Sequence, residues 1–235
     1  MTGVILQPSY IPWRGYFHLI HLADVFVFLD DVQYTKRDWR NRNLVKGPDG
    51  PHWLTVPVIT RGRRQQLIKD VEIDNSTSWA KHHASTLRHC YAQSPYFDKY
   101  MDLLEEKYAR PWGNLCELDV DFTRSLAHLL NIHTHFVRSS ELNAGGTRAE
   151  KLISICKLLN ITTYISGPSA RDYIPLEAFA RENIELVYHS YEYPEYPQLF
   201  GDFAPNVTIV DLLFNCGDRS SSYIWNRKVA VPATT

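Results

Sequence analysis

The chain has 235 residues, 44% of them apolar and 22% charged, with 25 Lys and Arg against 26 Asp and Glu for a formal net charge of −1. This composition is that of a globular protein with a core large enough to need no disulfide staples. Near-neutral charge argues against a general nucleic-acid binder, and no run of about 18 apolar residues suggests a membrane-spanning helix.

Val4, Ile5 and Leu6 form a short apolar run that predicts a buried strand beginning almost at once, where a secretory signal would need a basic start and a longer apolar stretch. Residues 7–15, with Pro8, Pro12 and Gly15, predict a structured loop. A short helix is expected over 16–23, with Phe17 and Ile20 on one face. Residues 25–29 are continuously apolar, as in a strand covered on both faces. Strand, loop, helix, strand is the opening of an α/β unit with parallel strands.

Residues 31–43 are dense in polar and aromatic groups. Residues 46–51 predict a hairpin turn, with a returning strand over 53–58. Gly62, Arg63 and Arg64 read as a basic loop, and residues 67–73 as an edge strand. Three helices are expected between 78 and 131, at about 78–91, 95–108 and 114–130. Pro95 suits a first helical turn. Leu115, Leu118, Phe122 and Leu126 make a core stripe. Thr147 and Glu150 fit a capping box before a helix carrying Leu152, Ile153, Cys156 and Leu159. Residues 162–166 then predict a strand, 173–182 a helix and 184–188 another strand. Residues 191–205 form an aromatic and proline-rich loop. Thr208 and Asp211 are expected to cap a last helix that Gly217 ends. The tail after Trp225 is expected to be loose. The whole reads as a single α/β domain over 1–235: a Rossmann-like parallel sheet with a mainly helical insertion at about 78–131 and a β-hairpin. Cys90, Cys116, Cys156 and Cys216 form no C-x-x-C pair and are expected to be buried free thiols in a reducing cytoplasm.

In an open parallel sheet, ligands bind beyond the carboxyl ends of the strands. Three stretches are placed there: Gln7 to Tyr10 with the following loop, Asp30 and Asp31 with Gln33 and Lys36, and Ser166 and Gly167 with Arg171 and Tyr173. Adjacent carboxylates on a strand point to opposite faces, so one of the Asp30–Asp31 pair is expected in the cleft, and position favours Asp30. Lys36, Arg37, Arg40 and Arg42, with Asn41 and Asn43 among them, are the densest cationic stretch, suited to phosphate or carboxylate. Tyr34 and Trp39 within it could stack on a base or sugar ring, or anchor the hairpin. Arg14 and His18 share a helix face near Gly15, where a helix N-terminus favours an anion. Tyr196 and Gln198 lie in an aromatic loop suited to sugar hydroxyls, or to covering the sheet end. His82, His83 and His89 lack metal-ligand spacing, and no metal site is expected.

Residues 7–17 and 30–43, then 164–173, 196–198, 203–206 and 211–217, resemble the WbqC-like protein family in a motif series spanning nearly the whole chain. The resemblance implies a bacterial cytoplasmic protein of surface-glycan (O-antigen) or specialised-metabolite biosynthesis, a glycine transferase or a glycosyltransferase. A strand, Pro-x-x-Gly with a helix and an apolar strand are also similar to HIGH-type nucleotidyl transferases and pantothenate synthetases. Both signature histidines of those enzymes are absent, leaving Arg14, His18 and Lys36 as substitutes. The leading expectation is an acyl or aminoacyl transferase or ligase joining a small acid to the amine of a sugar nucleotide or similar molecule. In it Lys36, Arg42 and Arg171 hold anionic groups, Asp30 orients the amine or acts as base, and Gln7 and Asn43 bind polar substrate atoms. A glycosyltransferase is the alternative, although Asp30-Asp31 is not the Asp-x-Asp of the metal-dependent type. A non-catalytic nucleotide-sugar binding protein is another. ATP is a candidate cofactor. The expected partners are a small anionic substrate and, as a candidate, a second copy in a homo-oligomer, with neither nucleic acid nor membrane.

Overall fold

The computed structural model describes residues 1–168, 174–225 and 231–232. Five parallel strands form the central sheet: β1 (Thr2–Leu6), β2 (Val25–Phe28), β5 (His135–Arg138), β6 (Thr163–Ser166) and β7 (Glu185–Tyr188). Their spatial order is β5-β2-β1-β6-β7, and β8 (Val231–Pro232) pairs antiparallel with β7 at the edge. Strands β3 (Arg42–Gly47) and β4 (Gly50–Thr55) form a separate antiparallel hairpin. The Rossmann-like α/β reading therefore describes the fold.

The strands carry unbroken apolar runs because both sheet faces are covered. Val4, Phe26 and Phe28 pack with Phe17 and Ile20 of α1 (Arg14–Leu22) and with α4 (Leu115–Leu129) and α7 (Ile209–Cys216). Ile5, Val27 and Tyr164 pack on the other face with Ile155 and Cys156 of α5 (Ala149–Leu158) and Phe179 of α6 (Leu176–Arg181). Helices α2 (Trp79–Tyr91) and α3 (Phe97–Ala109) complete the helical insertion with α4. All four cysteines are buried and free.

Several local expectations change. Residues 67–73 form a 3-10 turn at Ile68–Asp70, flanked by isolated bridges, where an edge strand was expected. Ile68, Val71 and Ile73 are buried, so their alternation comes from core packing without a ladder partner. Strand β5 has only Phe136 and Val137 as apolar residues, too short a signal to read. The capping box is half formed. Glu150 accepts from the Thr147 N–H at 3.4 Å, but Arg148 is the N-cap, at φ 50°. Thr208 does cap α7, accepting from Val210 N–H. Asp211 instead accepts from the Tyr91 and Tyr196 hydroxyls at 2.9 and 2.8 Å. Gly217 ends that helix at φ 55°, and a Cβ there would meet the Tyr96 ring. The expected helix start at 173 lies outside the described residues.

Candidate functional site

Helix α1 leaves β1 toward one face of the sheet, and α6 leaves β6 toward the other. This divergence opens a crevice between β1 and β6 beyond their carboxyl ends, where ligands bind in such folds. Two cavities occupy it. One, of about 410 Å³, is lined by Gln7, Ser9, Trp39, Arg40, Asn43, Tyr191 and Asn206, among others. The second, of about 580 Å³, is lined by Arg148, Lys151, Tyr164 and Ser166 on its far side. Leu6, Gln7 and Arg40 line both.

Gln7 and Arg40 form the partition. The Arg40 guanidinium donates to the Gln7 carboxamide oxygen with one amino group and pairs with Asp38 through the other. Its Nε is buried without a partner. The sheet positions Gln7, the first residue after β1. The 31–41 loop positions Arg40, through Trp39, whose carbonyl accepts from the Tyr10 N–H at 3.0 Å. Asn43 clamps the facing loop, donating to the Tyr10 and Ile11 carbonyls at 3.1 and 2.9 Å. A planar guanidinium fork at the junction suits a carboxylate, a phosphate or a developing oxyanion.

The other anticipated residues divide by location. Ser166 lines the second cavity, and Gly167 lies against the Tyr191 hydroxyl. Arg171 and Tyr173 lie outside the described residues. Tyr10 turns into the core instead of the cleft. Its hydroxyl sits 2.8 Å from His83 Nδ1 and 2.5 Å from the Tyr108 hydroxyl, beneath the helical insertion. The cradle expected of Arg14, Gly15 and His18 does not form. Arg14 donates to the Pro194 carbonyl at 2.7 Å and lies 4.8 Å from the Tyr193 ring centre. A Cβ on Gly15 would meet the Trp13 ring at 2.3 Å, so this glycine makes room for an indole. His18 is buried against His189, rings 4.3 Å apart. Burial, with the neighbouring His189, lowers its pKa to about 4, so it is neutral at pH 7. Tyr196 and Gln198 hold the aromatic loop down, both donating to the buried Asp211.

Asp30 is fully buried and saturated. Its oxygens accept from Arg138 Nε at 2.7 Å, the Ser140 N–H and hydroxyl at 2.9 Å each, and the Ser139 hydroxyl at 3.1 Å. Burial alone would raise this carboxyl, but Arg138 and Ser140 outweigh it and hold it below the usual range. With those lone pairs engaged, Asp30 ties β2 to β5 and is poorly placed to act as a base. Asp31 pairs with Lys151 at 2.7 Å. Gln33 donates to the Arg64 carbonyl, and Lys36 stands exposed. Neither lines either cavity. Arg42 stacks on Trp53 at 4.1 Å and, like Gln33 and Lys36, lines neither cavity.

Arg40 was visible as one of four clustered cations, but nothing in the spacing distinguished it. Asp119 had a clearer signal, a carboxylate inside the apolar stripe of α4. It is fully buried, and neither oxygen has a hydrogen-bond partner. Burial pushes its carboxyl well above the usual range, and the Arg40 charge opposes this only in part. The unpartnered Thr123 and Tyr34 hydroxyls are buried too. Since the folded pKa exceeds the unfolded value of about 3.9, folding costs free energy as pH rises through that interval. The wild-type chain should therefore lose stability relative to Asp119→Asn between pH 4.5 and 7.5, by up to about 1.4 kcal/mol for each pH unit below the folded pKa. Urea midpoints of both proteins at the two pH values check this. A constant difference would show that Asp119 titrates normally.

A model of the WbqC-like protein family matches residues 7–223. The chain belongs to the WbqC-like protein family. The chain is also 40% identical over 222 residues to the uncharacterized protein Rv1507c of Mycobacterium tuberculosis, covering 94% of this chain and 96% of that relative. No solved structure matches. The family match begins at Gln7, on the wall shared by the two cavities of this WbqC-like chain, and extends past α7. No helix among the described residues is long and apolar enough to cross a membrane.

Proposed function

We propose that this WbqC-like chain joins a small carboxylic acid, glycine in the simplest case, to the amine of a sugar nucleotide or similar small molecule. It would act as an acyl or aminoacyl transferase or ATP-dependent ligase in the cytoplasm, within surface-glycan or specialised-metabolite biosynthesis. The observation that carries this reading is the shared wall: two cavities meet at Gln7 and Arg40. A reaction between two small molecules needs two compartments with one contact point, which lowers the entropic barrier of bringing them together. The amide- and aromatic-lined cavity suits the acceptor's sugar and nucleotide. The cavity with Arg148, Lys151 and Ser166 suits the activated acid.

The acceptor nitrogen attacks the acyl carbon at the junction, forming the C–N bond. The bond to the activating phosphate or other leaving group breaks, and the amine proton passes to water. Arg40 faces the oxyanion or departing anion, and preorganised charge there is the main catalytic contribution. Incubation with ATP, glycine and an amino-sugar nucleotide tests the reading. The expected result is an amide product by mass spectrometry, with ATP consumption that requires both acid and amine. Nucleoside diphosphate release with a glycosidic product would replace it with glycosyl transfer. Binding without turnover would replace it with a binding protein.

A further inference from the structure

We infer that Trp39, Trp53 and Arg42 form a stacking platform at the mouth of the smaller cavity, built to take the base and phosphates of a nucleotide. The inference rests on the sugar-nucleotide reading of that cavity and names the part of the molecule bound outside it. Trp39 and Trp53 are 44% and 46% exposed, on different elements, with ring centres 5.4 Å apart and planes inclined by 43°. Large indoles are not ordinarily left in water as an adjacent pair. Their backbones are anchored: the Trp39 main-chain N–H donates to Asp38 at 2.7 Å and its carbonyl accepts from Tyr10, while Trp53 sits in β4 opposite Leu44 of β3.

Charge selects the occupant. Arg42 lies over Trp53, and Arg40 lines the same cavity as Trp39; the one carboxylate in residues 36–42, Asp38, is already engaged by Arg40. Among the described residues no carboxylate pairs with Arg42. Its guanidinium lies 4.1 Å over the Trp53 ring with Nε buried, so a phosphate would meet the terminal amino groups. Trp39 is also a wall of the smaller cavity. A ligand with its ring on the indoles can thus extend past Arg42 and Arg40 to the amides of Gln7 and Asn206. A planar base, a diphosphate and a polar sugar, in that order, match this sequence of surfaces.

The test is calorimetric titration of the full chain with UDP, ADP and inorganic pyrophosphate, with tryptophan fluorescence read in parallel. Trp39→Ala and Trp53→Ala should each weaken binding of at least one nucleoside diphosphate about 5- to 100-fold. Trp53→Phe, which keeps a ring, should stay close to wild type, and pyrophosphate affinity should not follow ring removal. Thermal melting confirms that the variants fold. Equal nucleotide affinity in wild type and both alanine variants overturns the platform, as does no nucleotide binding by the wild type. An oligouridylate binding more tightly than UDP would assign the surface to a single strand and overturn it too. Amide formation unchanged in both alanine variants would also overturn the platform while leaving the transfer reading intact. Nucleotide affinity lost in those variants, with no amide formed by the wild type, upholds the platform and removes the transfer reading.

Discussion

Replacing Arg40 with alanine is expected to slow amide formation roughly 10²–10³-fold, the cost of removing one preorganised donor from a developing anion. Arg40 is the cationic side chain common to both cavities and holds the Gln7 carboxamide at their junction. The fold should persist. The Arg40–Asp38 pair is 19% and 27% exposed, between the surface and buried cases, so losing it should cost roughly 1–3 kcal/mol, and thermal melting confirms that the variant folds. Arg40→Lys keeps the charge but loses the fork, so it should recover only part of the rate. Lys36→Ala is the control: Lys36 is exposed and lines neither cavity, and its loss should change the rate less than twofold or so by this account. Steady-state rates of the three variants decide this. An Arg40→Ala protein as fast as wild type, or a Lys36→Ala protein as slow as Arg40→Ala, would contradict the assignment.

Asp30→Ala is expected to cause the largest loss of stability, about 3 kcal/mol at pH 7. The lower end of the range for breaking a buried pair applies because the Arg138 side chain is 23% exposed. The variant also strands the Ser140 hydroxyl and N–H that Asp30 accepts from, while the Ser139 hydroxyl keeps Asp31 as a partner. For a chain of this size the melting temperature should fall by about 6–12 °C. The sign with pH follows from the depressed carboxyl. Its stabilisation is present above the unfolded pKa of about 3.9 and is lost as pH falls through the folded value. The gap between wild type and variant should therefore narrow in acid. Melting curves at pH 7, 4 and 2.5 check both statements: the gap should be nearly full at pH 4 and clearly smaller at pH 2.5. A shift under 2 °C or so at pH 7 would mean that Asp30 is not a structural tie.

The same residue explains what could be read in advance. Strands β1 and β2 were legible because both sheet faces are covered, so Val4–Leu6 and Val25–Phe28 are continuously apolar. The location of the cleft followed from the strands, since loops after parallel strands converge on one edge. The fate of Asp30 was not legible, because its partners end or follow β5, whose four residues include only one apolar pair. Without that strand, a carboxylate ending β2 looks free. Side-chain direction in the 7–15 and 31–43 loops was equally hidden. Tyr10 points inward and Lys36 outward, while Arg40 lies between them at the cavity wall, and no period distinguishes three polar or aromatic residues in irregular backbone. Asp119 was readable, as the one acid whose helical neighbours at three and four residues are Cys116, Phe122, Leu115 and Thr123.

The aromatic segment following β7 illustrates a different limit. Its tyrosines suit sugar recognition and lid packing equally well. Tyr196 and Gln198 bond to Asp211, and Arg14 bonds to the Pro194 carbonyl, whereas Tyr191 stays on the cavity wall. Most of the segment is thus the roof of the cleft, and Tyr191 is the part left facing a ligand.

A crystal structure of the chain with an N-glycyl amino-sugar nucleotide, the product of the proposed reaction, would examine the two-compartment cleft directly. The new amide should lie between Gln7 and Arg40, with the sugar in the cavity walled by Trp39, the base at its mouth and the glycyl end toward Lys151 and Ser166. Product bound away from the carboxyl ends of β1 and β6, with that crevice holding only solvent, would contradict the account.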